Sequence, residues 1–173
     1  MEFGCIRHGT TSLIGFFDVA TGRMESPYLN HTRTEEDFVY AMRALVETDP
    51  EASWTFVCDG LNTHKSESLV RFVAQQCGLE EDLGCKGKSG ILKSLESRVE
   101  FLHREDHRIR IVYTPKHCSW MNQIEIWFGI INRRLLKRKS YKSIEELKFV
   151  KDGEVFNLDG KQAIAMGGAY SFP

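Results

Sequence analysis

The sequence has no apolar run that approaches the roughly 20 residues needed to cross a membrane. Its first ten residues, MEFGCIRHGT, lack the apolar stretch of a secretory signal. The five cysteines are scattered at positions 5, 58, 77, 85 and 118, and the absence of a CxxC pair argues against a disulfide framework. We therefore expect one domain in a reducing cytoplasm, with no membrane partner.

Charge is balanced over the whole chain, at −1, but not along it. Between residues 104 and 142, ten Lys or Arg residues are set against three acidic residues, so the rest of the chain is acidic. This asymmetry indicates either a surface that binds a polyanion or an ordinary solvated helix face.

Hydrophobic spacing predicts alternating strands and helices after an initial hairpin. The hairpin covers residues 10–29 and turns at Gly22, and the final residues, 153–173, suggest a weak hairpin around Asp159-Gly160 or a loose tail. Strands are predicted over 52–60 and 107–115, and helices over 32–50, 66–78, 91–102, 122–139 and 143–152. The strand over 52–60 is almost wholly apolar, so we expect both of its faces to be covered. This order predicts an α/β protein built on a mixed sheet.

Two carboxylates occupy informative positions. Asp59 ends the strand over 52–60, and ligands collect at the carboxyl ends of strands in open α/β sheets. Glu125 opens the helix that ends in the basic run, and it would reach the same edge if the strand over 107–115 lay parallel to the first. Facing carboxylates suit Mg²⁺ or Mn²⁺, ions that support attack at phosphorus. Simpler interpretations are a turn aspartate and an Asn122-x-x-Glu125 capping box.

Two other motifs are incomplete. In GCKGKSG, Gly84 and Gly87 enclose two residues where a phosphate-binding loop needs four, so we expect no nucleotide cofactor. His103 and His107 have zinc-finger spacing, but no matching cysteine pair precedes them.

Several segments closely resemble bacterial insertion-sequence transposases of the DDE superfamily, in the branch related to mariner elements. The most specific are VCDGLNTHKSESLVRFVA and RIRIVYTPKHCSWMNQIEIWFGIINRRLLKRKS, and the resemblance extends to about residue 148. We therefore divide the chain into a partial catalytic domain, 1–148, and a divergent C-terminal tail, 149–173.

The resemblance implies a ribonuclease-H-like, retroviral integrase-like fold: a mixed sheet flanked by helices, here incomplete. It also implies that the intact parent cuts and joins DNA at transposon ends with two Mg²⁺ or Mn²⁺ ions. Asp59 corresponds to the second carboxylate of the triad and Glu125 to the third, with Asn122 in support. The family's first aspartate lies on a strand upstream of the matched region. Asp18 is a candidate substitute, but by the resemblance it belongs to the second strand. Gly60 replaces an asparagine that usually follows the second aspartate.

The missing strand would lie in the centre of the sheet, between the hairpin and the strand that carries Asp59. We therefore expect a sheet that is gapped, re-paired or completed by another chain, and strand-transfer activity that is impaired. The alternative is a non-catalytic remnant that binds DNA or self-associates, and a homodimer is compatible with either interpretation.

Further residues are assigned supporting roles. Asn62 and His64 could orient water or phosphate, or could cap a turn, and Trp120 could stack on a base or pack in the core. Contacts with DNA phosphates rather than bases are expected from Lys116, His117, Arg133, Arg134, Lys137, Arg138 and Lys139.

Overall fold

The computed structural model describes residues 10–116, 118, 121–134 and 165–172. Its strands are β1 (Thr11–Asp18), β2 (Arg23–Asn30), β3 (Trp54–Cys58), β4 (Ile109–Tyr113) and β5 (Ala165–Phe172). Its helices are α1 (Glu35–Val46), a 3-10 helix (Asn62–Lys65), α2 (Glu67–Gln76), α3 (Leu95–His103) and α4 (Gln123–Arg134). No helix in these described ranges is long and apolar enough to cross a membrane.

The strands form one mixed sheet in the order β2-β1-β5-β3-β4. β1 pairs antiparallel with both β2 and β5, whereas β3 pairs parallel with β4 and with β5. The parallel register of β3 and β4 runs from Trp54 opposite Ile109 to Cys58 opposite Tyr113. The mixed sheet was predicted from the sequence and is confirmed. The parallel placement of these two strands meets the condition under which Glu125 was expected to reach the edge that carries Asp59.

β5 occupies the central place that the sequence left empty. It is registered with the whole of β1, from Thr11 opposite Phe172 to Asp18 opposite Ala165. The sheet is thus re-paired by this chain's own residues 165–172, which the sequence suggested as a weak hairpin or a loose tail; residues 159 and 160 lie outside the described ranges.

The repair of the sheet is partial. β5 is registered with β3 only at Val57 and Cys58. Beside the earlier residues of β3, a cavity of about 550 Å³ opens, with Asp18, Trp54 and Thr55 among its lining residues. In the described part of the chain the sheet is therefore incomplete, as the sequence predicted.

Local signals explain the ends of the first elements. Gly22 has a φ of 70° in the hairpin turn, and Asp18 accepts hydrogen bonds there from Ala20 N at 2.8 Å and Thr21 Oγ1 at 2.7 Å. At the start of α1, the side chains of Thr34 and Asp37 form a reciprocal capping box. The predicted hairpin and the predicted helix are both confirmed.

Two local predictions were wrong. The third helix begins at Leu95 rather than at residue 91, because Ser94 accepts a hydrogen bond from Ser97 N and caps the chain there. β3 is not covered on both faces, since Phe56 and Cys58 are buried while Thr55 is exposed. Thr55 is exposed because it faces the cavity left by the partial β5–β3 pairing.

Helices cover both faces of the sheet. Ile14 and Phe16 face a core built with α1, α2 and α3, in which Phe16 lies between Phe38 and Phe56 at ring distances of 5.9 and 5.5 Å. Leu13, which points to the opposite face of β1, belongs to a second cluster. That cluster contains Leu13, Met24, Ile124, Trp127, Phe128 and Ile131. The predicted class, a ribonuclease-H-like mixed sheet flanked by helices, is confirmed.

Candidate functional site

Asp59 directly follows β3, at the edge where the parallel strands β3 and β4 both end. Thr114 N donates to Cys58 O at 2.9 Å, which ties the two strand ends together. The Asp59 side chain is 24% exposed, so its carboxylate reaches solvent while part of it contacts protein. This is the strand-end position that the sequence predicted.

One carboxylate oxygen of Asp59 is held by the protein. Its Oδ1 lies 2.8 Å from His64 Nδ1 and accepts a hydrogen bond from Leu61 N at 3.2 Å. Burial alone would raise the pKa of Asp59. Its pKa is nevertheless lowered below the ordinary value, because the carboxylate is stabilised by the hydrogen bond and charge of His64, by the Leu61 amide and by the charge of Lys65. The carboxylate is therefore ionised at neutral pH. Its other oxygen, Oδ2, accepts no hydrogen bond from the described residues.

The two supporting residues that follow Asp59 differ in exposure. His64 is fully buried, and its ring centroid lies 4.4 Å from that of Phe38. The structure therefore places His64 against Asp59 and the core, away from solvent water or phosphate. Asn62 is exposed at the first position of the 3-10 helix, and the preceding Leu61 provides no side-chain cap there.

Glu125 lies in the first turn of α4, where its side chain is exposed. Its backbone N donates to Asn122 O at 3.0 Å, and Asn122 itself is buried just before the helix begins. Within the described ranges the Glu125 carboxylate has no hydrogen-bond or ion-pair partner. The capping-box interpretation, which needs that carboxylate on the Asn122 amide, is therefore not realised.

The helix that carries Glu125 and the strand that precedes Asp59 are both in contact with β5. α4 follows β4 and packs against β1 and β5, the strand that separates β1 from β3. No group of three or more His, Cys, Asp or Glu residues within the described ranges lies close enough to hold a metal ion. That these two carboxylates share an ion stays a prediction.

The predicted phosphate-binding residues are described only in part. Lys116 and Arg133 are exposed. The other residues predicted to contact DNA, His117, Trp120, Lys137, Arg138 and Lys139, lie outside the described residues. Arg134 ends α4, but its side chain is not described. The predicted helix over residues 143–152 also lies outside.

Two residues beside Asp59 were missed by the sequence analysis. The hydroxyl of Tyr113, the last residue of β4, donates to His64 O at 2.7 Å. The ammonium of Lys65 lies 5.1 Å from the centre of the Tyr113 ring and lowers the pKa of Asp59. Lys65 was visible in DGLNTHK as the next residue after His64, but the role of Tyr113 depends on strand pairing and has no local signal.

The histidines with zinc-finger spacing have separate surroundings. His103 Nδ1 lies 3.2 Å from Ile111 O, and its other ring nitrogen lies 3.2 Å from the Arg110 guanidinium. His107 is buried with its ring 4.6 Å from that of Phe101, and burial lowers its pKa. Each histidine therefore packs against its own neighbours.

A family model described as a DDE superfamily endonuclease matches residues 5–148, most of the chain. Searches of curated proteins and of solved structures find no match to the chain.

Proposed function

The chain belongs to the DDE superfamily of endonucleases, and from this premise we propose that it is part of a transposase catalytic domain that cuts and joins DNA at transposon ends. Nucleases of this superfamily act on DNA and generally use divalent metal ions. The quoted motifs support a more specific assignment, to bacterial insertion sequences related to mariner elements. The site of action would be the nucleoid, in the cytoplasm.

We assign the metal ligands to Asp59 and Glu125. The observation that carries this assignment is the state of Asp59: an ionised carboxylate at the carboxyl edge of the sheet, with one oxygen held by protein and the other unengaged. Glu125 supplies a second exposed and unengaged carboxylate. Hard oxygen ligands of this kind fit Mg²⁺ or Mn²⁺. When bound, such ions stabilise the attacking and leaving oxygens of an in-line displacement at phosphorus.

The remaining residues bind and orient the DNA. Lys116 lies three residues after the end of β4 and Arg133 near the end of α4, and both are exposed cations that can neutralise backbone phosphates. Asn62, exposed three residues after Asp59, is placed to donate to a phosphate oxygen or to water near the reacting bond.

We expect these residues alone to have little strand-transfer activity. The resemblance implies three carboxylates, and β5, which fills the central place in the sheet, has the sequence AMGGAYSF and carries no acid. The absence of a three-ligand group from the described ranges favours a second candidate function, non-catalytic DNA binding. Self-association as a homodimer is compatible with either function.

The two candidate functions are separated by metal binding. Mn²⁺ would be titrated into the whole chain by isothermal calorimetry, and into its Asp59→Asn, Glu125→Gln and Asp18→Asn variants. If the chain is part of a transposase catalytic domain, it should bind Mn²⁺. Binding should be lost in Asp59→Asn and Glu125→Gln but kept in Asp18→Asn, because the Asp18 carboxylate is engaged in the hairpin turn. If the unaltered chain fails to bind Mn²⁺, or if Asp59→Asn binds as well as the parent, the metal site is wrong.

DNA binding is expected under both candidate functions and should weaken steeply with salt. Lys116→Gln should lower both the affinity and the salt dependence, measured by fluorescence anisotropy with duplex DNA. Mg²⁺-dependent cleavage of transposon ends by this chain alone would contradict the predicted impairment.

A further inference from the structure

His64 is buried, with its side chain only 1% exposed. Its ring packs against Phe38, and its two nitrogens differ sharply in their surroundings. Nδ1 lies 2.8 Å from Asp59 Oδ1 and 3.4 Å from Asp59 O. Nε2 is buried and has no hydrogen-bond partner in the described part of the chain.

We propose that His64 is a positioning residue that fixes the Asp59 carboxylate, holding Oδ1 against the protein and turning Oδ2 toward the cation. This inference rests on the proposed function and goes beyond it, because it gives a role in metal affinity to a side chain that touches neither ion nor DNA. Holding the carboxylate in one orientation removes rotational freedom that would otherwise be lost when an ion binds.

The surroundings of the ring determine where its proton lies. Without a proton on Nδ1, the lone pair of that nitrogen would face the Asp59 carboxylate oxygen at 2.8 Å, and the two would repel each other. A proton on Nδ1 has the Asp59 carboxylate as its acceptor, in a charge-assisted hydrogen bond. The hydrogen bond therefore runs from the Nδ1–H group of His64 to the Asp59 carboxylate.

The backbone of His64 is held as firmly as its ring. His64 N donates to Leu61 O at 3.1 Å, and His64 O accepts the Tyr113 hydroxyl at 2.7 Å. A continuous line of contacts thus runs from the end of β4, through His64, to the carboxylate at the end of β3. This line fixes the ring relative to the two strand ends that form the site.

Three substitutions separate hydrogen bonding from packing. In His64→Asn the side-chain amide nitrogen takes approximately the place of Nδ1, whereas in His64→Gln it extends toward the place of Nε2. His64→Phe keeps a ring against Phe38 and removes both nitrogens. We expect His64→Phe and His64→Gln to weaken Mn²⁺ binding by about 10- to 100-fold, the usual effect of losing a partner that orients a metal ligand, and His64→Asn to restore much of it.

The unfolding temperature of every variant would be measured alongside its Mn²⁺ affinity. If the role of His64 is purely structural, Mn²⁺ affinity should fall in parallel with the unfolding temperature, and His64→Asn should restore no more affinity than His64→Gln. Either result would overturn the inference.

Nitrogen-15 NMR of the histidine rings in the unaltered, metal-free chain tests the same inference without any change to its folding. His64→Phe identifies the His64 signals by their disappearance. A proton on Nδ1 supports the inference, and a ring without a proton on Nδ1 refutes it. If Asp59→Asn abolishes Mn²⁺ binding but His64→Phe does not weaken it, the positioning role of His64 is wrong while the assignment of Asp59 as a metal ligand is kept. If Asp59→Asn leaves binding intact, both fail.

Discussion

Asp37 provides a quantitative test of how β2 is joined to α1. Its carboxylate accepts hydrogen bonds from Thr32 Oγ1 at 2.7 Å, Thr34 N at 2.8 Å and Asn30 Nδ2 at 2.7 Å. Burial alone would raise its pKa, but these bonds lower the pKa from an ordinary 3.8 to about 2. At about 1.36 kcal/mol per pH unit this is roughly 2.4 kcal/mol, which screening at a helix end near solvent reduces to about 1–2 kcal/mol.

The sign of the pH effect follows from this lowered pKa. The stabilisation is complete above the unfolded value of 3.8 and is lost as the pH falls through about 4 toward about 2, where the folded carboxylate also becomes protonated. Asp37→Asn should therefore cost about 1–2 kcal/mol at neutral pH, and its deficit relative to the parent should shrink over that interval.

Urea denaturation followed by tryptophan fluorescence, repeated from pH 7 down to pH 2, measures this difference. Glu36→Gln is the matched control, since it removes an exposed acid from the same helix turn without touching these hydrogen bonds. Parallel stability curves for the parent and Asp37→Asn across the whole range would refute the reasoning, as would an equal loss in Glu36→Gln.

Three further predictions concern the core and the candidate site. Phe56→Ala should lower the free energy of unfolding by about 3–5 kcal/mol in urea denaturation, since Phe56 is fully buried; a loss below 1 kcal/mol would contradict this packing. Tyr113→Phe should lower the same quantity by about 1–3 kcal/mol because it leaves His64 O without its donor, and a neutral result would mean that water replaces the hydroxyl. Gly168→Asp should raise Mn²⁺ affinity over that of Gly168→Asn, since the register of Cys58 opposite Gly167 places position 168 beside Asp59; equal affinities would show that a carboxylate there does not reach the ion.

Elements with local chemical signals were predictable from the sequence. The hairpin turn at Gly22, the capping residues Thr34 and Ser66, and the end of α2 before Gly78 all follow from side-chain hydrogen bonds or from a positive φ. The start of α3 was misplaced because the apolar spacing of residues 91 and 92 continues the helical pattern, whereas the hydrogen bonds of Ser94 fix the boundary. Periodicity thus identified the helix, and capping determined where it starts.

Features that depend on distant pairing were not predictable. The segment AMGGAYSF contains two glycines and has little strand propensity of its own, so it becomes a strand only through its pairing with β1 and β3. The candidate site shows the same limit. The sequence placed Asp59 at a strand end, but the contact of His64 with Asp59 depends on burial against Phe38 from α1 and on Tyr113 from β4.

The central position of β5 has a consequence for how the protein is made. Among the residues that the structure describes, the hairpin β1–β2 and the pair β3–β4 are joined only by β5, so they have no backbone pairing between them until residues 165–172 leave the ribosome. At about 5–20 residues per second, synthesis from residue 113 to residue 172 takes roughly 3–12 s. Over that time the inner edges of β1 and β3 expose unpaired amides and carbonyls, the kind of surface on which nascent chains aggregate. Production of this protein should therefore depend on chaperones that shield both edges until β5 arrives.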